Sequence, residues 1–251
     1  MNRMAACLLT YALTAAALSA DAQRRPQSHG RLFPPQDLGL LEAPDRDSWQ
    51  HPDEVMDKLG IAENSVVADI GAGAGWFTIR LARRVGPNGL VYAEDVQPEM
   101  LTAISRRAAA EGLVNIQPTR GKDSDPALPP GSIHAALLVD SYHEIDAVVD
   151  RITLLRNLGK SVRPGGRIGI IDFTLQGSGP GPEMDERISP DTVINEARQA
   201  GLKLLSQETF LPYQYFLIFG LETKPTAPPV SAAAPRTSKP RATPPRQSRP
   251  R

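Results

Sequence analysis

Cysteine is almost missing from this chain, and its position removes it from any chemistry. The single residue, Cys7, lies early in an apolar leader. The mature protein that such a leader implies therefore has no thiol for a disulfide, a metal or a nucleophile. Histidine is also sparse. His29, His51, His134 and His143 show neither H-x-x-x-H nor H-E-x-x-H spacing, which argues against a zinc enzyme, and no metal site is expected. No G-x-S-x-G elbow suggests a hydrolase. No internal repeat occurs, and the one long apolar run, Ala5 to Leu18, is shorter than the roughly 20 residues a membrane helix needs.

The two ends of the chain differ from its middle. Arg3, the apolar run and Ala20-Asp21-Ala22 read together as a secretory signal over residues 1–22, with the mature chain beginning near Gln23 and bound for the periplasm or the exterior. An uncleaved anchor is the alternative. Arg24-Arg25 follows the apolar run, so it is no twin-arginine signal. Residues 23–45 form an N-terminal extension. Residues 224–251 are rich in Pro, Ala, Ser, Thr and Arg and offer little to bury, so a disordered tail is expected. That tail holds seven basic and no acidic side chains, leaving 21 basic against 28 acidic in the rest of the chain. Overall neutrality thus covers an acidic body and a basic tail. The tail is either a solvated linker or a weak contact with an anionic surface, and no specific nucleic-acid partner is implied.

Between the ends, strand and helix patterns alternate. Strands are expected at Val66 to Gly71, Gly89 to Asp95, Val114 to Pro118, Ile133 to Asp140 and Arg167 to Asp172, with helical spacing between them. Pro98 after Gln97, and Ser189-Pro190, suit helix starts; Gly165-Gly166 marks a turn into a strand. Leu202 to Glu208 and Tyr213 to Glu222 are joined by a link too short for a helical crossover and should pair antiparallel. The expected fold is α/β: a doubly wound, mostly parallel sheet of seven strands with the last one reversed. Such sheets bind ligands beyond the carboxyl ends of their strands, at the switch point.

The segment "DIGAGAGWF", Asp69 to Phe77, occupies that place. A dinucleotide fingerprint needs G-x-G-x-x-G, but counting from Gly71 puts Trp76 where the third glycine belongs. The glycines could equally serve a tight strand-to-helix packing. As D-x-G-x-G-x-G the segment resembles motif I of the class I S-adenosylmethionine-dependent methyltransferases, whose glycine loop passes under the amino-acid end of the cofactor. Later segments follow in the family's order. "LVYAEDVQPEML" resembles its "AVDxxPEML" and "VDSYHE" its "VDVxHE", while "SVRPGGRIGIIDF" and "FLPYQYFLIF" are similar to its fifth-strand turn and closing hairpin. "RDSWQHPDEVMDKLGI" resembles the N-terminal segment of secreted or envelope-directed members, in which Trp49 and Gln50 would cover the cofactor pocket, with plain packing as the alternative for the Trp. The resemblance spans roughly Arg46 to Leu221, and the expected methyltransferase domain is residues 46–223.

It implies S-adenosyl-L-methionine as cofactor, held by Asp69, Gly71, Ala72, Gly73 and Gly75. It also places Asp95, with Val96 beside it, on the ribose, although Glu94 could share that role. Asp123 matches the adenine contact, with Asp125 as a competitor and Lys122 where an acid is often found. His134 stands where Asp is usual. On the acceptor side His143 either orients or deprotonates the acceptor, or merely caps the next helix; Asp140 is a loop-positioning or substrate-proximal candidate. Gly177 to Glu183 is a candidate acceptor-side loop. The reaction so implied is in-line methyl transfer to a small-molecule or protein acceptor that the sequence does not name, needing no covalent intermediate. An exported binding or accessory protein that keeps the fold without turnover is the alternative.

Overall fold

The computed structural model describes residues 32–34, 39, 43–177 and 179–222. The expected signal of residues 1–22, most of the 23–45 extension and the basic tail lie outside the described residues. Two short helices come first, α1 (Arg46–Gln50) and α2 (Pro52–Leu59). Proline in the first turn costs α2 no hydrogen bond, and Gly60, left-handed at φ 70°, ends it. Then follow β1 (Val66–Ile70), α3 (Trp76–Val85), β2 (Leu90–Asp95), α4 (Pro98–Ala110), β3 (Ile116–Arg120), β4 (Ile133–Val139), α5 (Val148–Ser161), β5 (Val162–Phe173), α6 (Pro190–Gln199), β6 (Leu202–Glu208) and β7 (Gln214–Leu221).

The seven strands form one sheet in the order β3-β2-β1-β4-β5-β7-β6. Strands β1 to β5 pair in parallel, whereas β7 runs antiparallel to both β5 and β6. The reversed strand is thus the last in sequence but lies inside the sheet, where the short β6–β7 link folds it back. Winding reverses between β1 and β4, and the crevice beyond their carboxyl ends is the switch point. Side chains alternate across the sheet. Val67, Ala135, Leu137 and Val139 join a core with α2 and α3, while Ala68, Ala136 and Leu138 join another with α5 and α6. Both faces are covered, which is why these strands read as unbroken apolar runs.

Two strands, β3 and β5, differ from expectation by more than one residue. β3 starts at Ile116 rather than Val114: Val114 is 88% exposed, while the Asn115 amide donates to the Ala82 and Gly86 carbonyls at 2.8 Å each. That side chain ties the approach to the end of α3 before pairing begins. β5 starts at Val162, directly after α5, and the expected Gly165-Gly166 turn is an irregularity within it: the register on β4 jumps between Ile133 and Ala135, with Gly165 left-handed at φ 80°.

Candidate functional site

After β1 the glycine loop is tied to the end of β2 by three hydrogen bonds. The Ala72 N–H donates to the Glu94 carbonyl (2.9 Å), the Gly71 N–H to Glu94 Oε2 (3.3 Å) and the Gly73 N–H to Asp95 Oδ2 (2.9 Å). Gly71 and Gly73 take φ of 65° and 53°, a region that L side chains rarely adopt. A Cβ on Gly71 would lie 2.6 Å from that of Ser141, just past β4, so the bare α-carbon also lets two strand ends approach. Tight packing is thus one reason for a bare α-carbon at Gly71. Gly75 stands outside the crevice: at φ 83° it caps α3, and a Cβ there would press Ile104 at 3.0 Å.

The crevice between loop, β2 and β4 has a volume of about 440 Å³. Of the expected residues, Asp69, Gly71, Ala72, Gly73, Asp95, Val96, Asp123 and Asp140 line it, joined by Glu94, Glu144 and Arg46. Asp125 does not; its carboxylate accepts the Ala127 N–H at 3.0 Å, and its backbone pairs with that of Lys122 in a tight turn. Trp49 and Gln50 do not line it either. His134 is structural: its Nδ1 accepts the Val66 N–H at 3.0 Å and fixes β1 against β4.

Carboxyls outnumber cations among the charged residues of the lining, and burial resists their ionisation. Asp69 accepts from Thr78 Oγ1 at 2.6 Å, yet burial raises it to about 6. Burial pushes Glu94 up to about 8 and Glu144 to about 7. Asp95 is also raised by burial, against the N–H groups of Gln97 (2.8 Å, on Oδ1) and Gly73 that favour its charged form. With the Val96 N–H these leave the carboxylate lone-pair capacity for a further donor. The carboxylate can therefore receive a hydroxyl of a vicinal diol while it holds the loop.

Past β4, Asp140 sits at φ 56°, left-handed for a residue with a side chain. Its carboxylate accepts from Arg46 at 3.1 Å and from the Gln214 amide, and Gln214 in turn accepts from Gln50 at 2.7 Å. Burial raises Asp140 to about 7 despite the Arg46 charge. Arg46 also donates to Gln50 Oε1 at 2.9 Å and lies 4.5 Å over the Trp76 ring. Nothing in the sequence reading singled out this arginine, which lines both the crevice and a second cavity of about 1340 Å³. Trp49, Phe173, Tyr213, Arg187 and residues 180–182 of the Gly/Pro-rich loop wall that cavity, and Trp49 covers it rather than the crevice.

His143 faces the second cavity and does not line the crevice. Its Nδ1 lies 2.9 Å from Asp172 Oδ1, and its own N–H donates to Asp172 Oδ2 at 3.1 Å. The imidazole is pinned to the end of β5 and does not cap α5. Behind it, the Tyr142 hydroxyl donates to Glu196 at 2.7 Å, and Arg151 grips the same carboxylate at 2.8 and 2.9 Å, which locks the loop after β4 onto α6. Asp172 escaped the sequence reading. A usable signal was present, because it ends an apolar strand as Asp95 ends β2.

Residues 67–166 match the family model of a methyltransferase domain. The nocamycin O-methyltransferase of Saccharothrix syringae is 34% identical over 121 residues, 47% of this chain and 39% of that protein. The demethylmenaquinone methyltransferase of Geobacillus stearothermophilus is 26% identical over 113 residues, 45% of this chain and 47% of its own length. The chain thus spans less than half of these relatives. A SAM-dependent methyltransferase from Aquifex aeolicus superposes with a TM-score of 0.70 at 26% identity, covering 74% of this chain and 98% of that one. Residues 67–166 are thus similar to a methyltransferase domain, and the fold is similar to that of a SAM-dependent methyltransferase. The crevice lies at the switch point of that fold, and its residues fit a cofactor that is cationic at sulfur and carries a diol: the charged residues of the lining are mostly acidic and Asp95 has acceptor capacity to spare.

Proposed function

We propose that the chain is an S-adenosylmethionine-dependent methyltransferase, with the cofactor in the crevice and the acceptor in the second cavity. The observation that carries this is the Asp95 carboxylate, which binds the glycine loop and still lines the crevice. Bound there, the cofactor supplies an electrophilic methyl group. Asp95 holds the ribose, the loop from Gly71 to Gly73 lies under the amino-acid portion with Asp69 behind it, and Val96 and Asp123 flank the base. Asp140, Glu144 and Arg46 line both cavities and so stand where methyl donor and acceptor meet. His143 and Asp140 act on the acceptor side. Alignment of the two reactants and exclusion of water supply the rate, with no covalent enzyme intermediate. Export through residues 1–22, and contact of the basic tail with an anionic surface, belong to the same proposal. Equilibrium titration of the purified protein with S-adenosylmethionine, its demethylated product and NAD tests the cofactor assignment. Binding of the first two is expected; binding of NAD alone, or of none, overturns it.

A further inference from the structure

Asp172 is fully buried, and both of its oxygens are engaged. Oδ1 accepts the Phe173 N–H at 2.8 Å and faces His143 Nδ1; Oδ2 accepts the His143 N–H. A carboxylate so fixed holds the imidazole with its proton on Nδ1, which leaves the lone pair on Nε2. Nε2 has no hydrogen-bond partner among the described residues, and the ring lines the second cavity. Across that cavity stand Trp49, Phe173 and Tyr213, with ring centroids 6.4 and 6.1 Å from Trp49 to the other two. Gly181 keeps the wall thin, since a Cβ there would lie 2.6 Å from the Phe173 ring.

We propose that His143, oriented by Asp172, is the general base for an acceptor whose reacting group is the hydroxyl of an aromatic ring, bound in the second cavity against Trp49, Phe173 and Tyr213. This rests on the methyl-transfer reading of the adjoining crevice. Acceptor chemistry selects the class. A carboxylate or thiolate arrives ionised and a neutral amine already presents its lone pair, so none of them needs a base. Hydroxyls do need one, and a ring hydroxyl, with a pKa of about 10, is closer to imidazole than an aliphatic one and suits a cavity walled by Trp49, Phe173 and Tyr213. As the oxygen attacks, its proton passes to Nε2 and a new O–C bond forms to the methyl carbon. The C–S bond breaks with its electron pair going to sulfur, which becomes a neutral thioether. The imidazolium, paired with Asp172, then returns its proton to water.

The charges facing His143 fix the pH dependence. Burial lowers the imidazole pKa, but the Asp172 hydrogen bond and charge, with Glu144 and Asp140, outweigh burial and leave it raised. Arg46 acts on this group through its pair with Asp140.

The test uses the whole protein with labelled S-adenosylmethionine and 2-naphthol, 4-nitrophenol, aniline and thiophenol as probes. Methylation of 2-naphthol in preference to aniline and thiophenol is expected. His143→Ala and His143→Gln should keep cofactor affinity, which also reports folding, and lose about 10²–10⁴-fold in kcat on 2-naphthol, with a much smaller loss on the already ionised 4-nitrophenol. Asp172→Asn should lower kcat and move the acid limb of the pH profile to lower pH, a shift that a merely structural residue would not cause. Cofactor binding without turnover of either phenol, equal losses on both phenols, or preference for aniline or thiophenol overturns the proposal. Failure of the cofactor to bind the wild-type protein instead overturns the reading beneath it.

Discussion

Replacing Asp95 with alanine is expected to weaken S-adenosylmethionine binding by about 1–3 kcal/mol, roughly five- to 150-fold in Kd. The magnitude follows from the carboxylate's surroundings. One oxygen accepts the Gly73 N–H at 2.9 Å and the other the Gln97 N–H at 2.8 Å. Lone-pair capacity remains for a hydroxyl of the ribose, and hydrogen bonds to a charged acceptor are the strong ones. Alanine removes the ribose contact and frees the glycine loop, and both changes weaken binding. Part of the loop cost is recovered when water reaches the exposed N–H groups, which keeps the loss below the sum of the bonds removed. Asp95→Asn retains one acceptor oxygen and should fall between wild type and alanine. Calorimetric titration measures the affinities, and thermal unfolding without ligand shows whether each variant is folded. A folded Asp95→Ala protein with unchanged Kd would refute the ribose assignment.

Other expectations follow from the same geometry. Gly71→Ala should destabilise by about 1–2 kcal/mol from its left-handed φ alone, plus the clash with Ser141; Ser141→Gly should recover only the clash, as read from denaturant midpoints of the single and double variants. Arg46→Met strands the Asp140 carboxylate and should cost about 2–4 kcal/mol, less than a fully buried pair because Asp140 is 19% exposed; adding Asp140→Asn should return part of the loss. Burial raises Glu94 to about 8 from the ordinary 4.5, so the stability tied to its protonated form is complete below about 4.5 and is lost as pH rises through about 8. Glu94→Gln should therefore gain on wild type at alkaline pH by on the order of a few kcal/mol and gain nothing near pH 4, which melting curves across pH will show.

The fold was legible because its signals are local and repeated. Apolar strands alternate with helices opened by Pro98 and Pro190, and the short link before Gln214 admits only a reversed strand. The crevice was legible as well, since Gly71, Gly73 and Asp95 stand at strand ends and the topology brings those ends together. The second cavity was not. Asp172 meets His143 from 29 residues away, and Arg46 meets Asp140 from 94 residues away, through pairings that only the sheet order and the placement of α1 create. Trp49 illustrates the limit. Its aromatic character marked it as a cover, but which cavity it covers depends on the position of Tyr213, far along the chain.

The most direct measurement is a crystal structure of the protein with S-adenosylhomocysteine. The ligand should lie in the 440 Å³ crevice, its ribose hydroxyls on Asp95 and its amino-acid end over Gly71 to Gly73. A ligand bound elsewhere, or a sugar turned away from Asp95, would contradict the assignment of this crevice to the cofactor.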